Sequence, residues 1–257
     1  MSSEARIETT FADGVATLRL VNPEFKNAIT QQMAADMVAF CAQVAADPTI
    51  GAVVLEADGG YFCSGADTRD LAAIAADPAS PDSVARLSAV YQAFVSIGTL
   101  PVPTIAMVEG GAVGAGLNLV LAVDVVVLTP DAVLDSGFLA RRIHPGGGHF
   151  TLLGRSLGYQ QAMAMGVLGE RVSGTEAVAL GLAWRTAEAS EFAETARALT
   201  ARAAKDPELT RRTKESATLE LNNPGLSWAA AIEVERGAQM WSLGRKGTAA
   251  WATKPSN

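Results

Sequence analysis

The sequence has 257 residues, of which 49% are apolar and 6% aromatic, and its net charge is −7 at pH 7. The apolar fraction is sufficient for a sizeable core, while the acidic balance disfavours nucleic acid, whose phosphates require clustered Lys and Arg. The two cysteines and two histidines indicate neither a disulfide framework nor a common zinc motif. The first residues lack a signal peptide's apolar core. We therefore expect a soluble, cytoplasmic protein without a metal site or a membrane span.

The N-terminal part of the chain alternates between strand and helix patterns. Asp13-Gly14 separates two β-type runs, which is typical of a hairpin, and Thr30 is suited to cap the helix that follows. The elements predicted are a hairpin over 7–20, a helix from Thr30 to about Ala46, a strand over 52–55, a loop over 77–81 and a helix over 84–97. Such alternation favours α/β layers rather than separate domains.

A glycine-rich turn follows the buried strand that is predicted over 104–108. Its four glycines are Gly110, Gly111, Gly114 and Gly116, and an apolar run interrupted by Asn118 comes next. A strand that passes through such a turn into a helix leaves N–H groups free where the helix dipole is positive, which favours a developing negative charge. The structural alternative is a buried turn in which glycine allows backbones to approach. The Rossmann and phosphate-loop glycine patterns are not met.

The last third of the sequence changes from mixed to helical patterns. Ser173-Gly174-Thr175-Glu176 is typical of a capping box. The elements predicted are short strands over 125–128 and 132–134, a helix over 177–180, and helices over 191–204, 207–221, 227–241 and 246–252. The change near residue 190 is the one domain boundary that the sequence suggests.

Three motifs occur in a fixed order along the chain. They are Tyr61-Phe62-Cys63-Ser64-Gly65-Ala66-Asp67, the glycine-rich turn, and Ile143-His144-Pro145-Gly146-Gly147-Gly148. In this order and spacing they resemble the enoyl-CoA hydratase/isomerase family, the crotonases, from about Phe11 to Lys254.

This resemblance implies a fold and a substrate class. The fold is an α/β crotonase (ClpP-like) spiral of repeated ββα units over residues 1–190, with a helical trimerisation region over 191–257. We expect a homotrimer or a dimer of trimers. The expected ligand is an acyl-CoA thioester, with no permanently bound cofactor.

The resemblance also assigns site residues. The N–H groups of Ala66 and Ala115 are expected to hold the thioester oxygen, although the family usually has glycine at the second position, where a left-handed conformation would strain alanine. Asp67 also suits a helix N-cap. The residues expected to contact coenzyme A are Lys26, Ala28, Ser64, Gly65, Ala66, Asp67, Gly114, Trp251 and Lys254.

The two catalytic glutamates of hydratases are missing. Their positions carry Asn118 and Phe138, which do not titrate, and a general acid or base contributes about 10²–10⁴ in rate. Asp135 and His144 are candidate replacements, but Asp135 also suits its own turn and His144 the neighbouring backbone.

Three other side chains are open to functional interpretations. Arg141 and Arg142 are candidates for binding a carboxylate or a neighbouring subunit. Cys63 has no evident base, which disfavours a covalent mechanism.

Three function classes remain open at this point. The first is a hydratase or isomerase that works with unusual residues. The second uses the same oxyanion hole for decarboxylation, dehalogenation or thioester hydrolysis, and the third is non-catalytic acyl-CoA binding. Ordinary crotonyl-CoA hydration is expected to be slow, and restoring glutamate at positions 118 and 138 is expected to raise it.

Overall fold

The computed structural model describes residues 5–221 and 227–249, within which the chain forms nine strands and ten α-helices. The strands are β1 (Arg6–Ala12), β2 (Val15–Val21), β3 (Ala52–Ala57), β4 (Thr104–Val108), β5 (Gly111–Val113), β6 (Val125–Leu128), β7 (Val133–Asp135), β8 (Val172–Ser173) and β9 (Arg185–Thr186). The helices are α1 (Gln31–Ala46), α2 (Thr68–Ala76), α3 (Pro81–Gly98), α4 (Ala115–Ala122), α5 (His149–Leu157), α6 (Tyr159–Gly166), α7 (Gly174–Ala179), α8 (Phe192–Lys205), α9 (Pro207–Leu221) and α10 (Trp228–Lys246).

Two sheets organise these elements. The larger sheet has the strand order β1-β2-β3-β4-β6-β9, in which β1 and β2 pair antiparallel and the other neighbours pair parallel. The smaller sheet has the order β5-β7-β8, with Val113 of β5 opposite Asp135 of β7. Parallel neighbours require crossover connections. Helices α1 to α4 supply those between β2 and β6, and α5 to α7 lie in the connection between β6 and β9.

The larger sheet is covered on both faces. Successive side chains of a strand point to opposite faces, so Val53 and Leu55 of β3 join the main core while Val54 joins a smaller cluster that includes Ala196 of α8. Helix α8 therefore packs on the sheet of the same chain. The predicted division at residue 190 remains a prediction.

Most of the predicted local signals are confirmed. Asp13 and Gly14 form the hairpin turn with φ of 51° and 77°. Thr30 caps α1 by accepting the N–H of Met33, and Ser173 forms the capping box with Glu176.

Three predicted boundaries are wrong. Helix α7 begins at Gly174, directly after its cap Ser173, and not at residue 177. Ser80 caps α3 and Pro81 opens it, so this helix starts three residues before the predicted position, because proline is favoured in the first helical turn. No separate helix begins at residue 246 in the described part, since α10 runs on to Lys246, and residues 250–252 lie outside that part.

Helix α10 is tied to the start of α5. The buried carboxylate of Glu235 accepts the N–H groups of Gly148, His149 and Phe150 at 2.8, 3.1 and 3.3 Å. A carboxylate suits this place, because the first N–H groups of a helix have no partner within it.

A membrane-spanning segment is not found among the described helices, none of which combines the necessary length with the necessary apolar character.

Candidate active site

The glycine-rich turn joins β5 to α4. Gly114 has φ of +58° and ψ of −117°, a conformation that an L side chain rarely adopts, and Ala115 is the first residue of α4. Ala115 is not among the residues with positive φ, so the left-handed conformation falls on Gly114 and alanine is unstrained at position 115. Its N–H group lies at the helix start, where no intrahelical acceptor exists.

The segment 63–67 lies against this turn. Cys63 pairs with the strand beside it, since its carbonyl accepts the N–H of Val113 at 2.9 Å. On the other side Ile29 donates to Gly65 O at 2.8 Å and accepts from Asp67 N at 2.9 Å. Within the described residues this pairing provides no acceptor for the N–H of Ala66, which lies between them.

Gly65 and Gly116 bring the two segments together. A Cβ on Gly65, whose φ is +109°, would lie 3.0 Å from Val113 O and 3.6 Å from Ala115 N. A Cβ on Gly116 would lie 2.3 Å from Cys63 O, which is closer than atoms can approach without a shift. These glycines thus allow the close backbone contact between the two segments, and Ala66 and Ala115 both line one pocket. We call the segments 64–67 and 113–116 the backbone wall.

A pocket opens beside the backbone wall. Much of its lining is apolar, with Leu71, Leu87, Val90, Phe94 and Ile143 contributing. Its larger polar side chains are Tyr91, Asn118, Arg141 and Gln239. We call the surface formed by α3, the segment 137–146 and Gln239 of α10 the side-chain wall. Among the described lining residues there is no Asp, Glu, His, Lys or Cys.

Asn118 is held in one orientation by a chain of buried hydrogen bonds. Its Nδ2 donates to Gly146 O at 2.9 Å, and its Oδ1 lies 2.7 Å from His149 Nδ1. Because a carbonyl only accepts, Nδ2 must face Gly146, and Oδ1 must then accept a proton from His149 Nδ1. His149 Nε2 is left as an acceptor for the hydroxyl of Ser136, 2.8 Å away.

The imidazole of His149 in this chain of hydrogen bonds is neutral. His149 is fully buried, and burial lowers its pKa from 6.5 to about 3. Ser136 is buried as well and does not line the pocket. The chain therefore fixes the amide of Asn118 rather than presenting a nucleophile.

Phe138 gives the pocket an apolar surface. Its ring is buried, lines the pocket, and contacts His149 edge-on with 5.0 Å between ring centroids.

Asp135 and His144 are both engaged outside the pocket lining. The Asp135 carboxylate accepts the N–H of Gly137 at 2.7 Å and pairs with Arg171 at 2.9 Å. The ring of His144 lies with Nδ1 2.6 Å from Pro145 O. For both residues the geometry matches the alternative interpretation, in which the side chain bonds the neighbouring backbone. Neither side chain is placed to act as an acid or base in the pocket.

Two further residues are also accounted for structurally. Asp67 caps α2 by accepting the N–H of Arg69 at 2.8 Å, as its N-cap interpretation predicts, and also pairs with the Arg69 side chain. Burial raises the pKa of the Cys63 thiol to about 12, so it stays protonated and is a poor nucleophile.

Six of the nine residues predicted to contact coenzyme A lie at the pocket or on a loop beside it. Ser64, Gly65, Ala66 and Gly114 line the pocket, while Lys26 and Ala28 lie on the loop beside it. Ser64 N donates to Lys26 O at 2.8 Å, and the Lys26 ammonium lies over the ring of Tyr61, 4.9 Å from its centroid.

Of the three other residues of that prediction, Asp67 caps α2 and does not line the pocket, and Trp251 and Lys254 lie outside the described residues. Of the two arginines singled out in the sequence, Arg141 lines the pocket and Arg142 is exposed without lining it. In the described part of the chain no group of three or more His, Cys, Asp or Glu side chains is placed to hold a metal ion.

Four residues of the site were not predicted. They are Tyr91, Ser136, His149 and Gln239. Gln239 lies 91 positions after Gly148, where the last motif ends, and enters through α10. For His149 the sequence carried one signal. This histidine is one of only two in the sequence and stands at the start of an apolar helix, and a polar ring that is buried there has to find a hydrogen-bond partner.

The sequence profile of the enoyl-CoA hydratase/isomerase family matches residues 10–244. A protein named "Probable enoyl-CoA hydratase" from Mycobacterium tuberculosis is 40% identical over 174 residues, covering 68% of this chain and 66% of that protein. The 1,2-epoxyphenylacetyl-CoA isomerase of Escherichia coli is 33% identical over 195 residues, or 76% of this chain and 74% of the isomerase.

The same likeness holds for solved structures. A crystal structure of an enoyl-CoA hydratase/isomerase from Xanthobacter autotrophicus matches with a TM-score of 0.84 and 25% identity, covering 97% of each chain. The crotonase fold predicted from the sequence is confirmed.

Proposed function

Because the chain belongs to the enoyl-CoA hydratase/isomerase family, we propose that its pocket binds an acyl-CoA thioester and polarises the thioester carbonyl. The oxygen accepts hydrogen bonds from the N–H groups of Ala66 and Ala115, which stabilise the negative charge of an enolate. The observation that supports this proposal is the backbone wall, where neither N–H group has an acceptor among the described residues and both alanines line one pocket.

The proposed chemistry makes little use of proton transfer by the protein. No carboxylate, imidazole or thiol belongs to the described lining, and the two positions of the family's glutamates carry the fixed amide of Asn118 and the ring of Phe138. The protein is thus proposed to act as a hydratase/isomerase-like enzyme in which backbone donors, rather than a pair of glutamates, carry the catalysis. Efficient hydration of crotonyl-CoA is not expected.

Coenzyme A is proposed to enter along the loop 22–28. Lys26 is held there with a left-handed backbone, φ +49°, because the buried Asn27 side chain ties this loop to the carbonyls of Asp58 and Tyr61 at 2.7 and 2.6 Å. An ammonium at this place suits a phosphate. Trp251 and Lys254 retain their proposed role at the far end of the coenzyme.

The proposal is tested by removing one donor without disturbing its helix. Ala115→Pro deletes the N–H group at the first helical position, where proline is well tolerated, and Ala115→Gly keeps the N–H group as the matched control. The measurement is the infrared carbonyl band of a bound acetyl-CoA labelled with ¹³C at the thioester carbonyl. We expect a shift to lower frequency in the wild type and in Ala115→Gly, and a much smaller one in Ala115→Pro.

Two results bear on the alternatives. Equal carbonyl bands in all three proteins, each with bound thioester, would exclude the oxyanion hole. A normal shift without turnover of any thioester would favour the non-catalytic binding protein.

One observation favours decarboxylation as a second candidate reaction. Arg141 is the only cationic side chain in the described lining, and no carboxylate there opposes it. In a thioester with a carboxylate on Cα, the bond from Cα to the carboxyl carbon breaks and its electron pair forms the enolate. Carbon dioxide leaves, and water supplies the proton to Cα, so the protein needs no base.

The test is release of labelled carbon dioxide from malonyl-CoA. We expect Arg141→Met to reduce it at least tenfold, while Arg142→Met, which changes an exposed neighbour outside the lining, leaves it unchanged. Release that is absent in the wild type, or equal in both variants, would remove this candidate.

A further inference from the structure

The apolar part of the pocket is closed to solvent. Leu87, Val90, Phe94, Phe138 and Ile143 line the pocket, yet none of these side chains is more than 8% exposed. Side chains with so little exposure offer almost no surface to water, and a methylene group is larger than a water molecule. An acyl chain can therefore reach this lining only after one of the elements around the pocket has moved.

Helix α10 contacts several of the elements that form the pocket. It packs along α2 and against the start of α5, and Arg236 donates to Ser88 Oγ of α3 at 2.5 Å. Gln239 of the same helix belongs to the lining, to which α2 and α3 also contribute. Helix α10 therefore joins the elements whose side chains line the pocket.

The proline-glycine motif is the surface on which α10 rests. A Cβ on Gly146 would lie 2.1 Å from Gln239 Oε1, and one on Gly148 would lie 2.4 Å from Trp228 Nε1. The glycines of this motif thus allow α10 to approach closely. We call the segment 141–150 the α10 seat. Because Gly146 also lines the pocket, the seat and the lining share a residue.

Polar groups provide much of the attachment between α10 and its seat. Six described side chains of this helix are buried, namely Ile232, Glu235, Gln239, Met240, Ser242 and Leu243. The three polar ones all bond the seat, Glu235 through three N–H groups, and Gln239 and Ser242 through the backbone of His144. When two surfaces separate, such bonds are replaced by bonds to water, so each contributes little net stability. Segments with few buried apolar side chains open at low cost.

Helices α2 and α3 are less free to move. Helix α3 buries seven residues and packs on α1 and α4. Helix α2 buries only Ile74 and Ala75, but the N–H of its cap Asp67 donates to Ile29 O at 2.9 Å beside the backbone wall. Of the three helices, α10 is therefore the one whose displacement leaves the backbone wall intact.

We propose that α10 is a movable cover of the pocket, which lifts from the α10 seat to admit the acyl chain and closes again once the chain is bound. This inference rests on the proposed binding of an acyl-CoA thioester. The observed association rate constant is then the rate constant of the open form multiplied by the fraction of molecules that are open. Fixing α10 on the pocket lowers this fraction, and weakening the contacts with the seat raises it.

The first experiment fixes α10 with a disulfide. A Cβ on Gly244 would lie 4.0 Å from the Cβ of Pro78 in the loop after α2, within the range of about 3.5–4.5 Å that is found in disulfides. We expect the oxidised double variant Pro78→Cys/Gly244→Cys to bind octanoyl-CoA with an association rate constant at least about tenfold below that of its reduced form. Stopped-flow tryptophan fluorescence measures both rates. The reduced protein is the control for folding, and Cys41 and Cys63 are buried, so they do not compete for pairing.

The second experiment weakens the contacts with the seat. Glu235→Ala removes the acceptor of three N–H groups, which water replaces only when α10 is lifted, so more molecules are open. We expect the association rate constant to rise about tenfold and the dissociation rate constant to rise at least as much. Glu235→Gln keeps one acceptor oxygen and should lie between Glu235→Ala and the wild type. Glu233→Ala is the control and should leave both rates unchanged, since this side chain is 69% exposed.

The outcomes separate this inference from the proposed function. Equal association rates of the oxidised and reduced double variant would overturn the inference while acyl-CoA binding stands. If the disulfide slows association but Glu235→Ala binds no faster than Glu233→Ala, the moving element is α2, and the inference is wrong as well. If octanoyl-CoA and shorter thioesters do not bind to the wild type at all, the proposed function itself fails.

Discussion

The two walls of the pocket are built in different ways. The backbone wall presents N–H groups whose positions depend on glycines, as Gly116 shows by leaving no space for a Cβ beside Cys63. The side-chain wall presents a tyrosine, an amide and an arginine from elements far apart in the sequence. Under the proposed function, the first wall receives any thioester oxygen, because a backbone donor is the same whatever residue carries it. The second wall depends on individual side chains and so selects the acyl group.

This difference explains how a family can keep one device and change its chemistry. Under the proposed function, Asn118 and Phe138 at the positions of the family's two glutamates leave the backbone donors unaffected, because these donors depend on φ, ψ and close packing. The exchanged side chains have acquired a packing role of their own. Asn118 joins Gly146 and His149, and Phe138 covers the ring of His149.

The largest effect is expected from filling the space that the backbone wall requires. Gly116→Ala places a Cβ 2.3 Å from Cys63 O, so we expect the free energy of unfolding to fall by about 3 kcal/mol or more and acyl-CoA binding to be lost. Gly154→Ala is the matched control within a helix, where nothing lies within 4 Å, and it should stabilise by about 0.5–1 kcal/mol. Urea unfolding measures both. Equal stabilities would show that the close approach is not needed.

A smaller loss of stability is expected from detaching α10, which carries Gln239 of the side-chain wall, from the start of α5. Glu235→Ala leaves three helix N–H groups without their acceptor, and we expect the free energy of unfolding to fall by about 3 kcal/mol or less. Glu235→Gln keeps one acceptor oxygen and should lose less. Glu233→Ala is the control, because that side chain is 69% exposed and should change stability by at most about 1 kcal/mol. If Glu235→Ala and Glu233→Ala agree, α10 is held mainly by its apolar contacts.

The chain of hydrogen bonds behind Asn118 predicts a pH dependence of stability. Since burial lowers the pKa of His149 from 6.5 to about 3, the unfolded chain binds a proton between these values that the folded chain does not. Stability therefore rises with pH across this window and is lost on acidification, by up to about 1.4 kcal/mol per pH unit. Above pH 6.5 this contribution is constant.

The two histidines allow that prediction to be isolated. We expect His149→Gln to reduce the slope of unfolding free energy against pH, whereas His144→Gln, at a half-buried position outside the pocket lining, retains it. Denaturant titrations at several pH values below 6.5 provide the slopes. An unchanged slope in His149→Gln would mean that the buried imidazole is already protonated in the fold.

The backbone wall was readable from the sequence for a physical reason. Glycines with positive φ or a close approach cannot be exchanged freely, so Gly65, Gly114 and Gly116 mark the turn by themselves. The hairpin at Asp13-Gly14 and the cap at Thr30 were predicted from equally local rules. Whether Ala115 would be strained depended on one dihedral angle, and only the structure shows that Gly114 takes the unusual conformation.

The side-chain wall was hidden because its contacts are not local. Gln239 reaches the pocket through α10. Behind the pocket, His149 of α5 bonds Asn118 of α4 across 31 positions of the sequence. The structure also changes the expected result of restoring glutamate at position 118. A carboxylate there has no proton to donate to Gly146 O, so Asn118→Glu would disturb the segment 146–149 as well as supply a base.

Hydration of crotonyl-CoA by the purified protein tests the central claim most directly, since the claim is that backbone donors polarise the thioester while the pocket supplies no acid or base. Loss of the enoyl-thioester absorbance gives the rate. Two missing acid–base groups, each contributing about 10²–10⁴, predict a turnover at least about 10⁴ below the typical enzyme range of about 1–10³ s⁻¹. The rate should show no bell-shaped dependence on pH. A wild-type turnover within the typical range, with such a pH profile, would contradict the account.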